Sequence, residues 1–248
     1  MDIITSTSNR IAKLCRSLAE KKFRDETGLF LVEGGKIVAD LPPDAQVEFL
    51  LVAEGREAEA EEILATTRAQ VYYVTDSVMK SISDTVTPYG LAAAVRIPVR
   101  EFALPRGNAL LLDGVSDPGN LGTILRTAAA TGFEDVYLAD CADAYAPKVV
   151  RASMGGVLRT RIFRITTEQA FALVDGCNSV ALDMAGDSLA ESAPETPVLY
   201  VAGNEAHGIR RDLLSRCRRV MSLPMRGGME SLNVAVATAV AMYRIFIE

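Results

Sequence analysis

The second half of the chain is organised around short apolar runs separated by polar stretches. Mostly apolar segments of four or five residues fall at 109–112, 135–139, 179–182, 198–202 and 219–223. Runs of this length without alternation predict strands buried on both faces. Segments with apolar positions three and four apart follow several of them, at 123–131, 148–157, 211–217 and 232–246, and predict helices. This alternation specifies an α/β domain with a parallel sheet covered on both sides, whose ligands bind in loops at the C-terminal ends of strands. The first half predicts a basic helix over 10–23, strands at 29–32, 48–53 and 71–74, and intervening helices, which together make a small α/β sandwich. Between the halves, segment 95–108 carries Pro98, Pro105 and Gly107, which break regular structure. The expected organisation is a first domain over 1–95, a linker over 96–107 and a second domain over 108–248, with no internal repeat.

Composition narrows this picture. An apolar fraction of 49% supports a sizeable core. The stretch from Met1 to Ser6 lacks the basic start and apolar run of a signal peptide, and the most apolar stretch, 234–247, is short for a bilayer and carries Arg244. A soluble, cytoplasmic protein with no membrane contact is expected. Cys15, Cys141, Cys177 and Cys217 form no Cys-x-x-Cys pair, and His207 is the one histidine, so a metal site or a Ser-His-Asp triad lacks parts and no metal is expected. The net charge of −6 argues against a nucleic-acid binder until its distribution is considered. Basic residues gather at Arg10, Lys13, Arg16, Lys21, Lys22 and Arg24, again from Lys148 and Arg151 through Arg159, Arg161 and Arg164, and a third time from Arg210 to Arg226. A charge run is commonly just a solvated face, but three of them in an acidic chain suit a surface that contacts phosphates.

Three loops after predicted strands carry candidate chemistry. The first, 113–126, contains Asp117-Pro118-Gly119-Asn120-Leu121-Gly122 and, one turn into the next helix, Arg126, whose planar fork suits a phosphate. An ordinary turn with a capping residue explains it equally well. The second, 202–209, places Glu205 between Gly203 and Gly208, where a carboxylate is seldom needed for folding. His207 there reads better as an exposed loop residue than as a catalyst. The third, 223–233, feeds Gly227-Gly228-Met229-Glu230 into Ser231 and Asn233 at the start of a long Ala/Val helix. Ser231 is a natural cap for that helix, and Asn233 adds a second polar group. The helix's small-residue face (Ala235, Ala239, Met242) suits close packing against another helix, such as one from a second subunit. The phosphate-loop and dinucleotide glycine fingerprints are both missing, so an ordinary NTPase or dehydrogenase is disfavoured.

Taken together and in order, the three loops resemble the motifs of the SpoU/TrmH family of RNA ribose methyltransferases, of the SPOUT class. The elements that match are Asp-Pro-Gly-Asn-Leu-Gly…Arg at 117–126, Gly-Asn-Glu-x-x-Gly-Ile at 203–209 and Leu-Pro-Met…Ser-Leu-Asn-Val at 223–234. Segment 8–34, with Phe30-Leu31-Val32-Glu33-Gly34, is similar to the family's substrate-binding domain, itself like certain RNA-binding ribosomal proteins. The resemblance implies a deep trefoil knot, a homodimer, and S-adenosylmethionine held in a bent pose. Its adenine would meet backbone groups around Gly203, Leu223 and Leu232, with Leu182, Asp183, Met184, Asn204, Glu205, Met225, Ser231 and Asn233 completing the pocket. It further implies Asn120, Arg126, Glu205, Ser231 and Asn233 as the catalytic set. Because a guanidinium is not deprotonated in proteins, the preferred role for Arg126 is to clamp a phosphate and stabilise the developing alkoxide. Asn120, Ser231 and Asn233 would then fix the ribose, and Glu205 would orient the site. RNA contacts are expected from Arg10, Lys13, Arg16, Lys21, Lys22, Arg24, Lys148 and Arg151. The separate N-terminal domain favours ribosomal RNA, from the large subunit, over transfer RNA. The competing readings are a transfer-RNA enzyme, a non-catalytic RNA-binding or assembly protein, and a small-molecule enzyme of an ordinary nucleotide-binding fold.

Overall fold

The computed structural model describes residues 3–64, 69–83, 85, 88–229 and 231–247. The chain divides into two compact units: Met1–Val99 with Tyr145–Leu158, and Arg100–Ala144 with Arg159–Glu248.

The first unit runs β1 (Ile3–Ile4), α1 (Arg10–Ser17), α2 (Lys21–Thr27), β2 (Leu29–Glu33), α3 (Gly35–Ala39), β3 (Val47–Ala53), α4 (Glu57–Leu64), β4 (Gln70–Val74), α5 (Asp76–Ile82) and β5 (Leu91–Arg96). Its sheet has the order β1-β4-β3-β5-β2, with β5 antiparallel to both β2 and β3. Ile11, Ala12 and Cys15 of α1 and Val78, Met79 and Ile82 of α5 cover one face, over Leu29, Leu31, Phe49 and Leu51. The sequence pattern missed β5, because alanine is a weak strand signal. Yet Ala92, Ala93 and Ala94 are fully buried between β3 and β2, where small side chains let both covering layers approach. Arg96, taken from the sequence as the start of the linker, is the last residue of this strand. The single basic helix expected over 10–23 is two helices that turn at Leu18–Glu20. Arg24 fastens that turn: its Nη1 donates to Leu18 O (2.6 Å) and Ala19 O (2.8 Å).

The second unit begins with β6 (Ala109–Asp113), α6 (Pro118–Thr131) and β7 (Asp135–Ala139). α7 (Pro147–Ser153) and α8 (Gly156–Arg159) come next along the chain, but residues 145–158 belong to the first unit, within which α7 packs on β2. One helix was expected there, but Met154 (φ 47°) and Gly155 (φ 89°) are both left-handed, which an α-helix cannot absorb. The second unit then continues with β8 (Arg161–Arg164), α9 (Thr167–Gly176), β9 (Ser179–Ser188), β10 (Leu199–Gly203), α10 (Arg211–Leu214), β11 (Arg219–Ser222) and α11 (Val234–Phe246). Every neighbouring pair in its six-stranded sheet, order β11-β9-β10-β6-β7-β8, is parallel, as the sequence pattern requires. Leu110, Leu111 and Leu112 of the central β6 are fully buried, each contributing on the order of 1.5–3 kcal/mol.

The edge strand β8 escaped the sequence pattern because arginine stands at both of its ends. Arg161 is tied to the nearly buried Asp135 through Nε–Oδ1 (2.6 Å) and Nη2–Oδ2 (2.8 Å). Burial opposes charge on Asp135, but those bonds and the Arg106 N–H outweigh it and hold the carboxyl below its usual range. α11 lies against α6, with Thr131 Oγ1 donating to Met242 Sδ (3.6 Å). Ala235 and Met242 are thus buried within the chain, with α6 beside α11, while Ala239 is half-buried. The apolar residues that α11 leaves exposed are Val236, Val240, Tyr243, Phe246 and Ile247.

Candidate active site

From β6 the sheet grows one way to β7 and β8 and the other way to β10, β9 and β11, so the strand order reverses beside β6. Ligand sites of parallel sheets form at such reversals, outside the carboxyl ends of the strands. The loops after β6 and β10 meet here. Asn204 Nδ2 donates to Gly114 O (2.7 Å), and Asn204 Oδ1 accepts from the N–H groups of Ala206 and His207 (2.9 and 3.1 Å). Gly203 cannot be replaced without movement, because a Cβ there would lie 2.1 Å from the backbone of Gly208.

Glu205 reaches across to the other loop. Its carboxylate accepts from Ser116 N (3.2 Å), Ser116 Oγ (3.1 Å), Asp117 N (3.1 Å) and Asn120 Nδ2 (2.9 Å). Desolvation alone would raise its pKa. The bonds from Asn120, from its own backbone and from the Asp117 and Ser116 amides overcome this and bring it to about 2. An ionised carboxylate only accepts, so it fixes the sense of everything beyond it. Asn120 must turn its NH2 toward Glu205, which leaves Oδ1 to accept from Asn233 Nδ2 (2.9 Å). Asn233 in turn keeps Oδ1 for the first turn of α11, accepting from Ala235 N (2.9 Å) and Val236 N (3.3 Å). One polarised chain therefore links all three loops. Asn233, not Ser231, caps α11, and Ser231 is left exposed ahead of the helix. Glu230, beside it, lies outside the described residues.

Next to this chain is a cleft of about 410 Å³. It opens because β9 and β10 pair only from Ser179/Leu199 to Ala181/Val201 and then part. On the far side, β11 pairs Val220 with Ala181 and then Met221 with Asp187, so residues 182–186 form an irregular stretch without register partners. The backbone edges facing each other beyond that point have no ladder partner across the gap and are available to a ligand. Leu182, Asp183, Met184, Gly203, Asn204, Glu205, Leu223, Met225, Ser231, Leu232 and Asn233, expected from sequence around a cofactor, all line this one cleft. Met221, Ser222, Ala237 and Thr238 line it as well and were not anticipated. Ala237 and Thr238 stand one turn beyond Val234 on α11, so helical spacing was the signal that would have found them. A volume within the range of small-molecule sites, a soft Met/Leu lining for a flat ring and exposed backbone edges for its polar atoms fit S-adenosylmethionine.

Arg126 is outside the cleft lining. It is exposed on α6, and among the described residues it makes no hydrogen bond or ion pair. Of the basic residues expected to meet RNA, Arg10, Lys13, Lys21, Lys22 and Lys148 are exposed, and Arg16 and Arg151 are half-buried. Lys21 and Lys22 pair with Asp25 and Glu26 one turn on. Arg24 is the exception: at 2% exposure, with its guanidinium spent on the α1–α2 turn, it is a structural residue and not an RNA contact. The third basic run is also partly internal, since Arg210 and Arg216 pair with Asp113 and Asp175. Groups of His, Cys, Asp or Glu able to hold a metal are lacking among the described residues, as are helices long and apolar enough to cross a membrane.

Comparison with known proteins adds the following. The SpoU rRNA Methylase family matches residues 107–243, and an MRM3-like substrate binding domain matches residues 9–93. The chain is 32% identical to the 23S rRNA (guanosine(2553)-2'-O)-methyltransferase RlmP of Bacillus subtilis, over 99% of both chains. Among solved structures, it is similar to the AdoMet-bound rRNA methyltransferase from Sinorhizobium meliloti, with a TM-score of 0.87 and 31% identity over 98% of this chain and 96% of that one. It also resembles the SpoU methyltransferase AviRb from Streptomyces viridochromogenes in complex with AdoMet, with a TM-score of 0.85 and 27% identity over 96% and 97%.

Proposed function

The chain belongs to the SpoU rRNA methylase family, and on that premise we propose that it transfers a methyl group from S-adenosylmethionine to a ribose 2′-hydroxyl of ribosomal RNA. The observation that carries this reading is the adjacency of an apolar cleft with free backbone edges and a polarised Glu205–Asn120–Asn233 chain. Bound in the cleft, the cofactor supplies an electrophilic methyl group. The protein's part is to align the ribose with it and to favour loss of the hydroxyl proton. Glu205 is poorly suited to take that proton, because its carboxylate already accepts from Ser116, Asp117 and Asn120, which bring its pKa to about 2. Its work is to fix the loops and the orientation of Asn120, which with Ser231 and Asn233 positions the ribose. Arg126, exposed on the same helix as Asn120, clamps a phosphate of the RNA and stabilises the developing alkoxide.

Recognition of the RNA falls to the first unit, through Arg10, Lys13 and Arg16 on the polar side of α1, with Lys21 and Lys22 beyond. The partner on the exposed apolar face of α11 is a second copy of the chain. A large-subunit substrate is favoured because the relative from Bacillus subtilis is named for one. The compartment that goes with this reading is the cytoplasm.

The test is transfer of label from S-adenosylmethionine to unmodified ribosomal RNA, to precursor ribosomal particles and to transfer RNA, with Arg126→Ala in parallel. Label in a 2′-O-methylated nucleotide of ribosomal RNA, reduced on the order of a hundredfold in the variant, supports the assignment. Label in transfer RNA alone moves the substrate class. Tight RNA binding without transfer to any of the three leaves a non-catalytic binder.

A further inference from the structure

Arg210 ends the loop that carries Glu205, and its contacts reach the ends of several strands at once. Its backbone N–H donates to Asp113 Oδ2 (2.8 Å), and its Nε lies 2.8 Å from Asp113 Oδ1. Nη1 donates to Thr167 Oγ1 (2.8 Å) at the start of α9 and stands 3.6 Å from Asp140 Oδ2, just past β7. One guanidinium therefore joins the end of β6 to the segments that follow β7, β8 and β10. Asp113 is 3% exposed, and removing one partner of so buried a pair leaves the other without compensation.

The position of Asp113 gives the ion pair its leverage. In the β6–β10 ladder Asp113 is the register partner of Gly203, the residue from which the Glu205 loop departs. Its carboxylate holds Arg210, the residue to which that loop returns. Both feet of the loop thus stand on one residue. Directly after Asp113 come Gly114, which accepts from Asn204, and Ser116 and Asp117, which donate to Glu205. A shift at Arg210 moves the Glu205 carboxylate against its donors, and with it the orientation of Asn120.

We propose that Arg210 is a positioning residue for methyl transfer, acting through Asp113 to hold the Glu205 loop in register with Asn120. This rests on the reaction proposed above, so one arm of its test is independent of that reaction. Arg210→Met keeps the aliphatic stem and removes the charge, while Arg210→Lys restores the charge without the fork. In Arg210→Met, amide hydrogen exchange at Ser116 and Asp117 is expected to accelerate about tenfold or more, with exchange in the core of β6 and β10 unchanged. In methyl transfer, kcat is expected to fall about tenfold or more, and by clearly more than the Kd for S-adenosylmethionine weakens, since the displaced loop also lines the cofactor cleft, with partial recovery in Arg210→Lys. Because Arg210 acts through Glu205, adding Arg210→Met to Glu205→Gln should slow the enzyme by less than about twofold further. Unchanged exchange at Ser116 and Asp117, a Kd that weakens in step with kcat, or additive losses in the double variant overturns the proposal. Should Arg210→Met not fold, the same readings on Asp113→Asn and Arg210→Lys decide it. Wild-type protein that methylates no RNA sinks the reaction assignment alone, and the exchange arm still settles the role of Arg210.

Discussion

At the scale of single residues, the site depends on one carboxylate whose charge sets the direction of two amides. Glu205 has a folded pKa of about 2 against an ordinary value of 4.5. A depressed pKa contributes stability that is fully present above the ordinary value and is lost as pH falls from there through the folded one. Glu205 is exposed, so solvent screens this contribution, and the effect to expect is local rather than global. Activity should therefore carry no acid limb from Glu205 above about pH 4, and a limb near pH 6 that disappears in Glu205→Gln would show that this carboxyl titrates as a base. The same variant replaces one acceptor oxygen by an NH2 that faces donors. Turnover is expected to fall about tenfold or more, because at least one donor is left unpaired. Steady-state kinetics on wild type and variant checks both points. The importance of Glu205 was legible in the sequence, from a carboxylate set between glycines after a strand. The saturation of its oxygens was not, because its partners Ser116, Asp117 and Asn120 lie some 85 to 89 residues earlier.

Among elements, capping overturns what the sequence suggests. The sequence makes Ser231 the natural cap of the last helix and Asn233 only an added polar group, whereas Asn233 is the cap. Packing decides: with α11 against α6, Asn233 is the residue that can meet both the free N–H groups of α11 and Asn120. Asn233→Ala should cost about 1 kcal/mol of stability, as loss of an N-cap does, together with the hydrogen bond to Asn120. Ser231→Ala should cost less than about 0.5 kcal/mol, as a surface substitution does. Chemical denaturation of the two variants settles the order, and equal losses would mean that Ser231 shares the cap. A similar physical reason explains where the predicted elements end. α6 starts at Pro118 rather than at the expected 123, because Asp117 Oδ1 accepts from Asn120 N (2.9 Å) and proline is at home in a first turn. The sequence reading took Pro118-Gly119 as loop, yet this cap is what places Asn120 on a rigid helix. The strands that were legible are those with mostly apolar runs of four or more residues. β5 and β8 were not, since one is mostly alanine and the other is held by the Arg161–Asp135 pair, which no local pattern reveals.

For the whole molecule, the question is how an acidic protein holds a polyanion. The net charge of −6 is a poor guide, because the sum mixes cations that are available with cations that are committed to the fold. In the first basic run, Arg10 and Lys13 stand exposed on α1, whereas Arg24 is buried under the turn that follows. Sequence cannot sort these, since the carbonyls that engage Arg24 belong to a turn that appears only once α1 and α2 separate. The sorting has measurable consequences. Changing Arg10 and Lys13 together to Gln should weaken RNA binding and raise KM for RNA, with the Kd for S-adenosylmethionine unchanged. If both contact phosphates, the slope of log K against log salt should become shallower by about 1.4 to 1.8, because each phosphate contact contributes roughly 0.7 to 0.9. Arg24→Gln should instead lower thermal stability and leave that slope unaltered in the folded fraction. Binding titrations at several salt concentrations, run beside thermal melts, distinguish the two outcomes. A slope unchanged by the double substitution would mean that the RNA-binding surface lies elsewhere, with the exposed Lys148 the next cation to test.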